Sequence, residues 1–107
     1  MSSESYVQST IIKWLQSIGW YVIKVVVATK SGVPDIVACD PCGNFWAFEC
    51  KVGSNKASPL QLHNISEIEK RNGRAFVVYS LDQVKHIVKQ TEQQLEKSSP
   101  RHPYQDV

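Results

Sequence analysis

Cysteine is scarce and odd in number, and its scarcity is the first constraint. Cys39, Cys42 and Cys50 are the only three among 107 residues, so they form no even disulfide set and suit a compartment that keeps thiols reduced. Cys39-Asp40-Pro41-Cys42 has the spacing of half a zinc knuckle, but a structural zinc wants four ligands. No second Cys-x-x-Cys or nearby Cys-His pair follows, so the three are read as turn and core residues. A basic segment leading into an apolar one is also missing at the N-terminus, and no apolar run approaches the ~20 residues of a membrane span. The expectation is a soluble, cytoplasmic chain with no membrane partner. Excess charge is lacking too: a net +2 permits a polyanionic partner without arguing for one. There are no internal repeats, and the length serves one core but not two. A hydrophobic fraction of 42% is ordinary for a globular domain.

What the chain does have is concentrated between Ser31 and Lys51, SGVPDIVACDPCGNFWAFECK. Ile36 to Cys39 and Phe45 to Phe48 are short runs of β-branched and aromatic residues that suit strands. Asp40-Pro41-Cys42-Gly43-Asn44 between them is dense in turn formers. Asp35 precedes the first run, behind Gly32-Val33-Pro34, where proline biases Val33 towards an extended shape. Glu49 and Lys51 close the second. Strand side chains alternate faces, so Glu49 and Lys51 share one side and Cys50 takes the other. In a hairpin with a short turn, Asp35 lies across from that end. Two carboxylates and an ammonium crowded against apolar residues cost stability unless paired or metal-bound. A hard divalent cation is the natural shared partner for two carboxylates, and a lysine beside them can steady developing negative charge. The set suits metal-assisted phosphodiester hydrolysis. The plainer alternative is a surface hairpin flanked by a salt bridge of little worth.

The rest of the chain reads as an alternation of helices and strands. Ser3 to Ile18 places Val7, Ile11, Trp14, Leu15 and Ile18 on one helix face, with Ser2 or Ser3 as cap and Gly19 as stop. Trp20 to Ala28, WYVIKVVVA, reads as a strand. Ser58-Pro59 opens a second helix running from Leu60 to about Asn72, with Leu60, Ile65 and Ile68 as its buried face and Gly73 as stop. Arg74 to Ser80 holds a fourth strand. Ser80 caps a last helix to about Lys97, with Leu81, Val84, Ile87, Val88 and Leu95 inward. The order α-β-β-β-α-β-α predicts an α/β fold, a mixed four-stranded sheet flanked by helices. The central hairpin is antiparallel, and the helical crossover allows a parallel pair between the third and fourth strands. Residues 1–97 form one domain, and residues 98–107, with two prolines and no periodicity, read as a mobile tail.

Gly32-Val33-Pro34-Asp35 with Glu49-Cys50-Lys51 resembles the VRR-NUC branch of the PD-(D/E)xK nuclease superfamily. That branch includes the nuclease domain of the Fanconi-associated nuclease and compact stand-alone phage and bacterial versions. The resemblance runs from about Glu4 to about Tyr79. It implies a restriction-endonuclease-like core and a structure-selective DNA endonuclease using Mg²⁺ or Mn²⁺. Asp35, Glu49 and the backbone carbonyl of Cys50 would bind the metal, and Lys51 would orient or activate the attacking water. It further implies that an acid on the first helix reaches towards the metal; Glu4 is the one acid there, and its plain alternative is a favourable charge at the helix N-terminus. Gln8, one turn later, is a candidate for contact with DNA or the metal's water. Gln61 corresponds to a glutamine near the metal site in similar proteins; on its own it reads as a solvent-facing helix residue or a phosphate-oxygen contact. Lys13, Lys24, Lys30 and Lys56 are candidate phosphate contacts.

Small stand-alone members of this kind act as homodimers on four-way junctions, so a phage-encoded, Holliday-junction-resolving homodimer is expected. A two-fold pair can address symmetry-related strands. The alternatives are a nuclease of flap or duplex DNA, a non-catalytic nucleic-acid-binding module on the same scaffold, and a protein–protein interaction domain.

Overall fold

The computed structural model describes residues 3–98; the tail expected from Ser98 onward lies, beyond Ser98 itself, outside the described residues, as does Ser2. The seven elements follow the order expected: α1 Glu4–Ser17, β1 Tyr21–Lys24, β2 Ile36–Cys39, β3 Phe45–Cys50, α2 Pro59–Glu69, β4 Arg74–Val78 and α3 Leu81–Ser98. The strands lie in the order β1-β2-β3-β4. The β1–β2 and β2–β3 pairs are antiparallel and β3–β4 is parallel, joined through α2.

Strand alternation divides the sheet into two unlike faces. On one, Ile36, Ala38, Trp46, Phe48, Cys50 and Val78 pack against Val7, Ile11 and Leu15 of α1 and Val84 and Val88 of α3. Trp46 is the centre of an aromatic group, 4.9 Å from Trp20 and 6.0 Å from both Phe48 and Phe76, ring centre to ring centre. Each large apolar side chain so buried contributes about 1.5–3 kcal/mol. On the other face, Ala47 and Ala75 sit side by side across the parallel ladder and make room for α2, whose Ile65 and Ile68 pack there with Val37 and Val77. Glu49, two residues after Ala47, belongs to this α2 face.

The hairpin turn is built on one carboxylate. Asp40 accepts hydrogen bonds at Oδ1 from the backbone of Cys42 and Asn44 (both 2.9 Å), and at Oδ2 from Asn44 Nδ2 and Trp46 Nε1 (both 2.9 Å). Burial alone would raise its pKa, but these donors outweigh it and hold the carboxyl below its ordinary value. The turn thus ties its own geometry to the core tryptophan.

Four expectations are corrected. β1 ends at Lys24 rather than Ala28, and Val26 and Val27 stand in solvent. Among the described residues its only strand partner is β2, itself four residues long, so after the Val25 N–H bond to the Asp35 carbonyl (2.8 Å) no described strand is left to pair with. Leu60 is 48% exposed, because at the start of α2 it packs over Gly32 of the β1–β2 loop rather than into the core. Ile18 faces outward at the C-cap of α1, since the helix has ended there. Helix α2 also stops at Glu69, and the left-handed conformation of its exit falls on Asn72 rather than Gly73. Of the inward face expected for α3, Val84 and Val88 are buried, Leu81 and Ile87 pack partly, and the side chain of Leu95 lies outside the described residues.

Candidate active site

The β2–β3 register pairs Ile36 with Phe48, so one step further Asp35 stands opposite Glu49. The hairpin therefore delivers both carboxylates to one end of the sheet. Asp35 is pinned there: its Oδ2 accepts the Cys50 N–H at 2.8 Å. Pro34 beneath it is fully buried. Lys51 follows on the Glu49 side, its backbone N–H bonded to the Val78 carbonyl (2.9 Å) and its Nζ 3.6 Å from Glu49 Oε2.

Glu49 is the unusual member. It is only 2% exposed. Oε2 is approached by Lys51 and accepts a hydrogen bond from Gln61 Nε2 at 3.2 Å. Oε1 is buried with no hydrogen-bond partner. A buried, unsatisfied carboxylate oxygen is expensive, and the neighbouring Asp35 carboxylate adds to the cost. Burial first, and Asp35 second, push the Glu49 pKa up to about 7 against the pull of Lys51. This donor set, two opposed carboxylates with one oxygen lacking any donor, fits a hard divalent cation.

Gln61 reaches the site through its helix cap. Its Oε1 accepts the Ser58 N–H (2.8 Å) while Ser58 Oγ accepts the Gln61 N–H (3.2 Å), a complete capping box. With the amide oxygen committed to the cap, the amide N–H₂ is left to point at Glu49. The sequence signals the box, Ser58 followed three residues later by Gln61, but not that its free end meets Glu49.

The remaining candidates divide by position. Glu4, half-buried at the start of α1, is close enough that its charge, after burial and the charges of Asp35 and Glu49, helps push the Cys50 thiol up to about 12. Among the described residues no third His, Cys, Asp or Glu side chain joins Asp35 and Glu49 in a metal-ligand cluster, so Glu4 stands near the site without completing it. The Cys50 side chain is fully buried on the opposite face, which leaves its backbone as the part that faces the site. Gln8 is buried on the inward side of α1. Lys24 ends β1 opposite Ile36, on the face of the sheet that carries α1 and α3; Lys30, in the β1–β2 loop, borders a groove along α2 with Val37, Phe45 and Arg71; and Lys56 lies in the loop between Lys51 and α2; all three are exposed. Lys13 is not brought to the site: it is exposed on α1, roughly 13 Å further along the axis than Glu4 at 1.5 Å per residue. Cys39 and Cys42 are free and exposed at the turn, at the far end of the hairpin.

Residues that sequence reasoning passed over hold the surrounding loops. Tyr79 Oη donates to the Asn55 carbonyl (2.7 Å), tethering the segment that follows Lys51. Asn64 Nδ2 donates to the Ser31 carbonyl (3.1 Å), fixing the approach to Asp35. Gly32, at φ +79°, has no room for a side chain: a Cβ would lie 2.8 Å from Leu60 Cγ. Its role is close packing of this loop on α2.

No protein-family model and no curated protein matches the chain. Solved structures do. A "VRR_NUC domain" is 30% identical with a TM-score of 0.73, covering 83% of this chain and 97% of that one. A "VRR_NUC domain protein", 20% identical with a TM-score of 0.69, covers 84% of this chain and 88% of its own and shares the fold. Together with the hairpin that sets Asp35 against Glu49 and Lys51, this likeness shows that the chain belongs to the VRR-NUC family of nuclease domains.

Proposed function

We propose that this chain is a divalent-metal-dependent, structure-selective DNA endonuclease, using Mg²⁺ or Mn²⁺ and acting as a homodimer on four-way junctions. The observation that carries the reading is the buried, partnerless Glu49 Oε1 beside Asp35 and Lys51 in a nuclease-family fold. Asp35 and Glu49, with the Cys50 carbonyl, would hold the cation, which supplies Lewis acidity towards the phosphate under attack. The protein's own residues do the positioning. The Cys50 N–H fixes the Asp35 carboxylate, and the Gln61 amide and Lys51 fix that of Glu49, so both are set before substrate arrives. Lys51 orients the attacking water and sets its ammonium beside the charge building on the phosphate. Lys24, Lys30 and Lys56, exposed in the segments that adjoin this hairpin, would supply phosphate contacts that bind without reading sequence. In a two-fold dimer the two sites would face symmetry-related strands of a junction.

The test is cleavage of end-labelled junction, flap and linear duplex with Mg²⁺, Mn²⁺ or EDTA. Wild type should introduce paired nicks in the junction with either metal and none in EDTA. Asp35→Ala and Lys51→Ala should each lose on the order of 10²-fold or more in rate, the scale of removing an electrostatic group from a transition state. Junction binding without cleavage in either metal would instead mark a binding module. Cutting of flap or duplex alone would keep the chemistry and discard the junction.

A further inference from the structure

The loop between β1 and β2 begins and ends at the candidate active site. Its two ends are clipped together by the Val25 N–H bond to the Asp35 carbonyl, 2.8 Å. Its returning limb is fixed: Ser31 is held by Asn64, Gly32 is packed under Leu60, and Pro34 is buried. Its outgoing limb is bare. Val26 is 81% and Val27 89% exposed, the two most exposed large apolar residues described. Exposed Lys24 stands before the pair and exposed Lys30 after it.

Two adjacent β-branched side chains have little rotamer freedom to lose on insertion between flat surfaces. Proteins that bend or open nucleic acid use apolar side chains in this way, wedged at a base step, while flanking cations hold the phosphates. Separating stacked bases inside a continuous duplex is costly, but at a branch the stacking is already interrupted and the cost is least. An apolar tip beside the cutting residues would therefore convert branch geometry into binding energy. We propose that Val26 and Val27 form a wedge that enters the DNA branch point and gives the site its preference for branched over linear substrate. This rests on the reading of the Asp35–Glu49 site as a nuclease and adds the residues that select its substrate.

The experiment compares wild type with the double variant Val26→Ser/Val27→Ser, and with Val26→Ile/Val27→Ile as the conservative pair. Binding to a four-way junction and to linear duplex is measured in EDTA, with 2-aminopurine at the branch point reporting unstacking. Cleavage is run in parallel with Mg²⁺ and Mn²⁺, and light scattering gives the oligomeric state. Wild type and the isoleucine pair should raise 2-aminopurine fluorescence on the junction. The serine pair should not, and its junction-over-duplex preference should fall by about tenfold or more, the scale of losing two buried valines. Its affinity for linear duplex should stay within about twofold, since the phosphate contacts remain. A serine pair that keeps both the fluorescence rise and the preference overturns the wedge while leaving the nuclease intact. A serine pair that loses preference because a dimer has become a monomer also overturns it, and assigns the valines to contact with a second copy. Wild type that cuts nothing in either metal overturns the nuclease reading and the wedge with it.

Discussion

Ionising a carboxylate that folding has buried beside another carboxylate costs free energy, and at Glu49 that cost grows with pH. Its ordinary value of 4.5 is raised to about 7 in the fold, by burial first and Asp35 second. A group raised in this way gives no penalty below the unfolded value; between 4.5 and about 7 the fold loses stability as pH rises, and above about 7 the loss is complete. Glu49→Gln keeps the shape and removes the ionisation. Chemical denaturation of the metal-free protein should therefore show the variant more stable than wild type at pH 8 and little different at pH 4. Millimolar Mg²⁺ should stabilise wild type at pH 8 and leave the variant unmoved, because a ligand stabilises only the state that binds it. Equal stability at both pH values would remove Glu49 from the role of a strained metal ligand. At this scale the sequence was informative wherever strand alternation sufficed: Asp35, Glu49 and Lys51 follow from period two and a short turn. It was silent on the partnerless oxygen and on the Gln61 bond to its neighbour, from a helix residue twelve positions downstream.

Capping and pairing decide the elements, and they differ in how far local sequence reveals them. The Ser58–Gln61 box serves helix and site at once, and substitution can separate the two duties. Ser58→Ala removes one of the two reciprocal bonds but leaves the Gln61 oxygen on the Ser58 N–H, so the amide still faces Glu49. Gln61→Ala removes the other bond and the amide together. Both should lower the unfolding free energy by about 1 kcal/mol. Only Gln61→Ala should also slow cleavage, by roughly tenfold if one hydrogen bond to a charged group is worth about 1.5 kcal/mol to the aligned site. Matching rates at matching stability would reduce Gln61 to a cap. The caps of α1 and α2 were legible because their signals are local, as was the hairpin turn, although the Asp40 bond to Trp46 was not. β1 was overrun because β propensity describes a residue, whereas a strand needs a partner. Val26 to Ala28 have the composition and lack the neighbour. Leu60 was misplaced for a related reason: helical spacing gives a face, but the first turn of α2 meets the β1–β2 loop at Gly32, while Ile65 and Ile68 further along meet the sheet.

For the whole molecule, what matters is where a small charge excess is placed. A net +2 over 107 residues gives no strong field, so DNA affinity must come from cations gathered near the chemistry rather than from the total. Three of the four candidate lysines lie in segments that adjoin the Asp35–Glu49 hairpin end in the chain, Lys24 closing β1, Lys30 in the β1–β2 loop and Lys56 in the loop after Lys51, while Lys13 stands along α1 towards the other end. Sequence alone gave all four equal standing, since position in the chain does not say which end of a sheet a residue on a helix such as α1 reaches. Each phosphate contact releases condensed counterions, so its loss is read in the slope of log K against log salt. Lys56→Ala should weaken binding to every sequence alike and make that slope shallower by about 0.9, whereas Lys13→Ala should leave it unchanged. Fluorescence anisotropy on one junction across a salt series measures both. A Lys13→Ala slope that falls as far as that of Lys56→Ala would mean the DNA runs along α1 to the far end of the hairpin, and the footprint would have to be redrawn around the whole sheet.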